Sequence, residues 1–258
     1  MTAGLLLSGS ESSCSATAGR EYTPACGNCH MRQLCLPTGM ALTEMGQLEQ
    51  RIGRRRRIKR DERLYAIGDA FSPLYAIRFG HFKTFNVNHE GAQQVTGFQM
   101  AGELLGIDAI SSGRHRCNAV ALDDSEVCEI PYAQLEDLCD AIPTLARHFH
   151  RILSQEIMRK QDLMLLLGNM RAEQRFAAFL VGLSARYLAC GYSATRFQLR
   201  MSREDIGNYL GLTMESVSRL LSRFRTQGWL AVDRRELTLL NLRTLKAIAA
   251  GTQTCRNM

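Results

Sequence analysis

The period of apolar and polar positions changes twice along the chain. Residues 1–24 are rich in Ser, Gly, Ala and Thr without apolar periodicity, and read as a mobile arm. From Arg63 to Pro131 come short alternating runs: Leu64-Tyr-Ala-Ile67, Leu74-Tyr-Ala-Ile-Arg-Phe79, Phe82-Lys-Thr-Phe85, Gln94-Val-Thr-Gly-Phe98 and Val127-Cys-Glu-Ile130. Glycines separate them, and several short strands at this spacing predict an antiparallel β-roll or barrel. From Pro143 to about Met170 the period becomes helical, over about seven turns. Leu145, Phe149, Ile152, Leu163 and Leu166 form one apolar face of that helix. His150, Leu153, Ile157, Lys160, Met164 and Leu167 form a second at alternating spacings of three and four. The second set has the heptad form of a two-stranded coiled coil; packing of both faces inside one protomer fits the periodicity as well. A further helix is expected from Ala172 to Leu188, with a break at Gly191.

Two short helices and a tight turn are predicted next. Ser202 with Asp205 three residues on resembles a capping box, and Ile206, Tyr209 and Leu210 give an apolar face that stops at Gly211. Thr213 can cap a second helix whose inner face is Val217, Leu220, Leu221 and Phe224. Glu215, Ser218, Arg219 and Ser222 then share its outer face near the N-terminus, where a recognition helix meets base edges. Arg219 suits guanine O6 and N7, Glu215 a cytosine amino group, and Ser218 a base or a phosphate. Gly228 to Leu239 reads as strand, polar turn and strand, the wing of a winged helix.

Composition narrows the partners and the compartment. The formal charge of +7 fits a polyanion but is spread widely. The basic run Arg54-Arg-Arg-Arg-Ile-Lys-Arg60 is read as a solvated strand or helix face rather than a nucleic-acid patch. Nine Cys occur in a chain with neither a signal-like leader nor a membrane-length apolar run, which predicts a cytoplasmic protein with reduced thiols. Three of them crowd into Cys26-Gly-Asn-Cys29-His-Met-Arg-Gln-Leu-Cys35. A four-thiolate site needs one more ligand, and Cys117, Cys128, Cys139 and Cys190 are all candidates. Spacing leaves zinc and an iron-sulfur centre both open, with His30 a further possible ligand.

Taken in order, Cys-x2-Cys-x5-Cys-Leu-Pro, Leu-Tyr-Ala-Ile-Arg, Val-Cys-Glu-Ile-Pro and Asp-Ile-Gly-Asn-Tyr-Leu-Gly-Leu-Thr-x-Glu-x-x-Ser-Arg resemble the oxygen-sensing FNR branch (fumarate and nitrate reduction regulators) of the CRP/FNR transcription factors. The resemblance implies an α+β chain: a flexible arm (1–24), a cluster-binding segment with a cyclic-nucleotide-binding-like β-roll (25–142), a dimerisation helix (143–170), a winged helix-turn-helix (171–245) and a tail (246–258). It further implies a 4Fe-4S cluster on Cys26, Cys29, Cys35 and Cys128, and DNA reading by Glu215, Ser218 and Arg219, with Ser202 and Ser222 alongside. The partners implied are a palindromic double-stranded DNA site, RNA polymerase and a second copy of the chain, meeting through Leu153, Ile157, Lys160 and Met164; neither a membrane nor enzymatic activity is expected.

Three departures from the family pattern stand out. His30 follows the second cluster cysteine; Lys160 stands where similar proteins often carry an acid; and the loop at Gly91-Ala92, in a region tied to polymerase contact, lacks an acid at 92. On the switch reading, Lys160 faces its own copy across the seam, where two like charges oppose dimerisation; equally, it can snorkel its ammonium into solvent and cover the seam with its stem. A cyclic-nucleotide-gated regulator on the same roll is the first alternative, since Gly102-Glu-Leu104 resembles the start of a nucleotide cassette. His115, however, stands where that cassette needs an Arg. An iron-sulfur electron-transfer protein is the second, and it leaves the helix-turn-helix without a purpose. Cys14, Cys117 and Cys255 are expected to be dispensable.

Overall fold

The computed structural model describes residues 26–88 and 90–252; the expectations for the 1–24 arm, Cys14 and Cys255 lie outside them. The cysteine segment leads into helix α1 (Leu42–Arg51), followed by a roll of two four-stranded sheets. One sheet has the order β1 (Arg55–Ile58), β8 (Ser125–Pro131), β3 (Pro73–Phe79) and β6 (Leu104–Leu105). The other has β2 (Arg63–Tyr65), β7 (Asn118–Ala121), β4 (His81–Val87) and β5 (Gln93–Met100). All pairings are antiparallel, as the alternating runs predict. Ile58, Leu64, Tyr75, Ile77, Phe82 and Val127 fill the space between the sheets. The basic run is β1, and its charges meet acids: Arg54 with Glu129, Arg56 with Glu62 and Arg57 with Glu126.

Helix α2 (Tyr132–Ala141) ends at Ile142, and Pro143 opens α3 (Pro143–Asn169), which is about 40 Å long at 1.5 Å per residue. Leu145 and Phe149 are buried and Ile152, Leu163 and Leu166 half-buried, so the first apolar face packs within the protomer. The second face is corrected by rotation. Ile157 (59% exposed) and Met164 (71%) are bare, but they are joined by Met158 (54%) and Leu165 (60%) rather than by Lys160. Three residues after Ile157 the helix has turned back about 60° towards the roll. There the Lys160 ammonium donates to the Thr96 carbonyl at 2.8 Å and pairs with Glu156 at 3.3 Å. Exposed Gln161 takes the place on the bare stripe that the heptad reading gave to Lys160. Leu153 is likewise half-buried against the core beneath the cysteine segment.

Helix α4 (Ala172–Ala189) carries Phe176, Leu180 and Leu183 into a second core, shared with β9 (Arg196–Gln198), α5 (Arg203–Leu210), α6 (Met214–Thr226), β10 (Leu230–Asp233), β11 (Glu236–Leu239) and α7 (Leu242–Ala249). Helix α7 corrects the expected start of the tail at 246: its Leu245 and Ile248 are buried in that core, so the folded unit runs through Ala249.

Polar contacts join this unit to the roll. Glu103, just past β5, accepts from Arg186 of α4 at 2.7 Å and from Arg159 of α3 at 3.0 Å. Arg186 also donates to the Phe98 carbonyl at 2.6 Å. Burial opposes the Arg186 charge, but the attraction of Glu103 outweighs it and holds its pKa above the usual value. Lys83 of β4 reaches Asp205 of α5 at 2.6 Å, and the Asn208 side chain bonds the backbone of Gln93 and Val95. Replacing Glu103 by Gln leaves the half-buried Arg186 guanidinium without its carboxylate, while exposed Arg159 keeps Glu156. A loss of about 1–3 kcal/mol is expected, read as a lower urea midpoint together with faster amide exchange in α4.

Candidate functional site

Two sites are built, one from thiols and one from a helix face. The thiol segment is a series of backbone turns: Cys29 N–H donates to the Cys26 carbonyl at 3.1 Å, Arg32 to Cys29 at 3.0 Å and Cys35 to Met31 at 2.8 Å. Glu49 of α1 pins its start by accepting from the Gly27 amide at 2.7 Å. Buried Met31 and Leu36 anchor it from below. Under it, the pairing of β8 with both β1 and β3 places Cys128 opposite Arg55 and Ala76. Period-two alternation then aims Cys128, Ala76 and Arg78 at the segment. Cys26, Cys29, Cys35 and Cys128 consequently line one cavity of about 30 Å³, with Ile52, Ile130, Arg55 and Arg78 also in its walls.

The other candidate ligands do not reach this cavity. Cys117 is buried between the roll's sheets, the Cys190 thiol donates to the Ala101 carbonyl at 3.3 Å, and Cys139 sits on α2. His30 is exposed and is not part of the cavity wall. Burial pushes the Cys26 thiol up to about 12 and raises Cys35 and Cys128, and each of these thiols feels its neighbours in the set. Such thiols are protonated when unligated and release protons on binding metal.

Within the described residues no three His, Cys, Asp or Glu side chains stand close enough to hold a single metal ion. A donor set made only of thiols suits iron-sulfur chemistry, in which each thiolate takes a different iron. The cavity has room for little more than a water-sized body, so the 26–37 segment must stand further from β8 when its thiols ligate anything larger.

Residues that a cyclic nucleotide would need are engaged elsewhere. The His115 ring is buried in the roll and stacked on Tyr65 at 3.7 Å. Arg114 turns outward to the Gly68 carbonyl at 2.8 Å, and Glu103 serves Arg159 and Arg186.

At the other end, the helix-turn-helix forms as the sequence predicts. Ser202 Oγ accepts from the Asp205 amide at 2.9 Å to cap α5. Gly211 takes the left-handed turn at φ 62, and Thr213 Oγ1 accepts from the Ser216 amide at 3.1 Å to cap α6. Val217, Leu220, Leu221 and Phe224 are buried. Glu215, Arg219 and Ser222 are exposed on the opposite face, and half-buried Ser218 accepts from Arg203 at 3.3 Å. The Glu215 carboxyl is held below its usual pKa by its own backbone N–H and the Thr213 hydroxyl, so it presents an ionised acceptor. Ser202 is exposed at the cap, bound to its own helix.

A β-roll joined by a long helix to a winged helix-turn-helix defines a DNA-binding transcription regulator. Known proteins agree. Residues 174–248 match the family model of the Crp-like helix-turn-helix domain, and residues 55–141 that of the cyclic nucleotide-binding domain. The chain is 43% identical over 230 residues to the transcriptional regulatory protein btr of Bordetella pertussis, covering 89% of this chain and 95% of that protein. It is 44% identical over 228 residues to the fumarate and nitrate reduction regulatory protein of Escherichia coli, covering 88% and 91%. Among solved structures it resembles FixK2 from Bradyrhizobium japonicum, with TM-score 0.69 and 32% identity over 75% of this chain and 96% of that one. The chain belongs to the CRP/FNR family of transcription regulators, and within it to the FNR type. Like its relatives, it is a regulator and not an enzyme.

Replacing Arg219 by Ala is expected to cost about 1–3 kcal/mol on the best DNA site and to relax one base position. Binding measured across a panel of single-base variants checks this. A uniform loss across all sequences would make Arg219 a phosphate contact instead.

Proposed function

We propose that this regulator is oxygen-responsive: it binds a palindromic DNA site as a homodimer while a 4Fe-4S cluster on Cys26, Cys29, Cys35 and Cys128 is intact, and so controls anaerobic gene expression with RNA polymerase. The observation that carries the reading is the convergence of four thiols, from two parts of the chain far apart in sequence, on one apolar cavity. When bound, the cluster supplies an oxygen-labile cross-link between the N-terminal segment and β8.

The protein's own contacts couple that segment to the DNA-binding unit. Leu34 rests against Gly102, where an added Cβ would come within 2.9 Å of the Leu34 side chain. The next residue is Glu103, which holds Arg159 of α3 and Arg186 of α4. On the opposite side, His148 of α3 faces the Cys35 backbone. A shift of the segment therefore bears both on the long helix and on the clamp that seats α4. The bare stripe of Ile157, Met158, Met164 and Leu165 is where a second copy would pack, with heptad spacing between Ile157 and Met164 and between Met158 and Leu165. Two recognition helices related by the resulting two-fold axis suit a palindrome with half-sites about one helical turn apart.

The chemistry of reduced thiols fits a cytoplasmic setting, and among the described residues no helix is long and apolar enough to cross a membrane. The cyclic-nucleotide alternative is disfavoured by the stacking of His115 on Tyr65 and by the engagement of Glu103.

Anaerobically purified protein is expected to show a broad absorption near roughly 420 nm that bleaches in air. Ser in place of Cys26, Cys29, Cys35 or Cys128 should abolish it, and Ser in place of Cys117 should not. Iron retained in Cys128→Ser and lost in Cys117→Ser would overturn the ligand set.

A further inference from the structure

Three guanidinium groups share the thiol cavity, and the family resemblance gives them no part; that of Arg32 turns back to the Gly27 carbonyl at 3.1 Å. Arg55 stands in register with Cys128 across the β1–β8 ladder. Arg78 lies two residues beyond Ala76 on β3, on the same face. Both line the cavity together with the four thiols. Arg78 donates through Nη1 to Glu126 at 2.9 Å, but its Nε is buried without a hydrogen-bond partner. A buried guanidinium N–H of this kind lacks an acceptor. Cys29 lines the same cavity, so its sulfur is among the acceptors on offer.

Four thiolates placed in an apolar cavity carry concentrated negative charge. Burial penalises that charge unless opposite charge or donors stand close. Hydrogen bonds to the sulfurs and the local net charge also set the reduction potential of an iron-sulfur centre.

We propose that Arg78, with Arg55 beside it, is the charge-compensating positioning residue of the thiol site, offering its unpartnered Nε–H to the Cys29 thiolate once a cluster is bound. The proposal rests on the cluster reading above. Glu126 works against it: this buried carboxylate shares Arg78 and lies two residues before Cys128 on the same face of β8. Opposite substitutions at the pair therefore shift the bound group's potential in opposite directions. An arginine that merely braces the strand would produce no such pair of signs.

The test uses the full chain, purified without oxygen, with iron and sulfide counted and the reduction potential read by titration against dithionite. One electron passes from reductant to cluster, and no bond is made or broken. With Arg78→Gln the iron content is expected to hold while the reduction equilibrium constant falls about tenfold, which is about 59 mV for one electron. Arg78→Lys should recover part of the shift by restoring charge without the planar donor, and Glu126→Gln should move the potential upward. Wild-type protein that holds iron and sulfide, with Arg78→Gln and Glu126→Gln both at its potential, overturns the proposal while leaving the cluster reading intact. Wild-type protein that takes up no iron overturns both. If Arg78→Gln takes up no iron, recovery of loading in Arg78→Lys supports the proposal, and an unshifted Glu126→Gln overturns it.

Discussion

One carboxylate ties the molecule together. Glu103 receives Arg159 from the long helix and Arg186 from the DNA-binding unit, and it also accepts from the Met100 amide at 3.0 Å, which fixes the turn that carries it. The Arg186 pair is partly shielded from water and is worth more than a surface ion pair, while the pair with exposed Arg159 is closer to one. Such strength suits a joint that must hold one arrangement and still yield to another. Since Leu34 of the cysteine segment packs on the preceding Gly102, that segment lies next to the residue that holds Arg159 and Arg186.

The thiol site itself depends on strand register. Cys128 reaches the cavity only because β8 lies between β1 and β3 with Cys128 opposite Arg55 and Ala76. A slip of one residue would turn it into the roll and aim Val127 or Glu129 at the segment instead. Buried Val127 against the opposite sheet enforces the register, so the packing of the roll places the fourth thiol. The same alternation puts Arg78 and Glu126 beside the thiols, which joins the site's electrostatics to the fold that creates it.

Elements with strong local rules were legible in the sequence. The capping box at Ser202, the left-handed Gly211 and the four-residue inner face of α6 specify the helix-turn-helix without reference to anything distant. Pro143 and an uninterrupted helical period did the same for α3. Heptad arithmetic, by contrast, cannot tell which flank of a stripe faces its own protomer; Lys160 turned inwards because the Thr96 carbonyl, 64 residues away, offers its ammonium an acceptor that no local pattern reveals, beside its i,i+4 partner Glu156. Helices α1, α2 and α7 are short, and their apolar faces acquire meaning only against the cores they cover. The cysteine spacing was plain, but the choice among four possible fourth ligands came from family resemblance. Arg78 and Glu103 fell within motifs read for other reasons, and their ion pairs left no local signal, since their partners lie tens of residues away.

The central claim is that the state of the thiol site governs DNA binding. Its most direct test is operator affinity measured on a single anaerobic preparation as air is admitted in steps, with intact cluster quantified at each step. The account predicts that the binding-competent fraction falls in proportion to the cluster and is lost at full bleaching. Undiminished affinity in fully bleached, iron-free protein would contradict it.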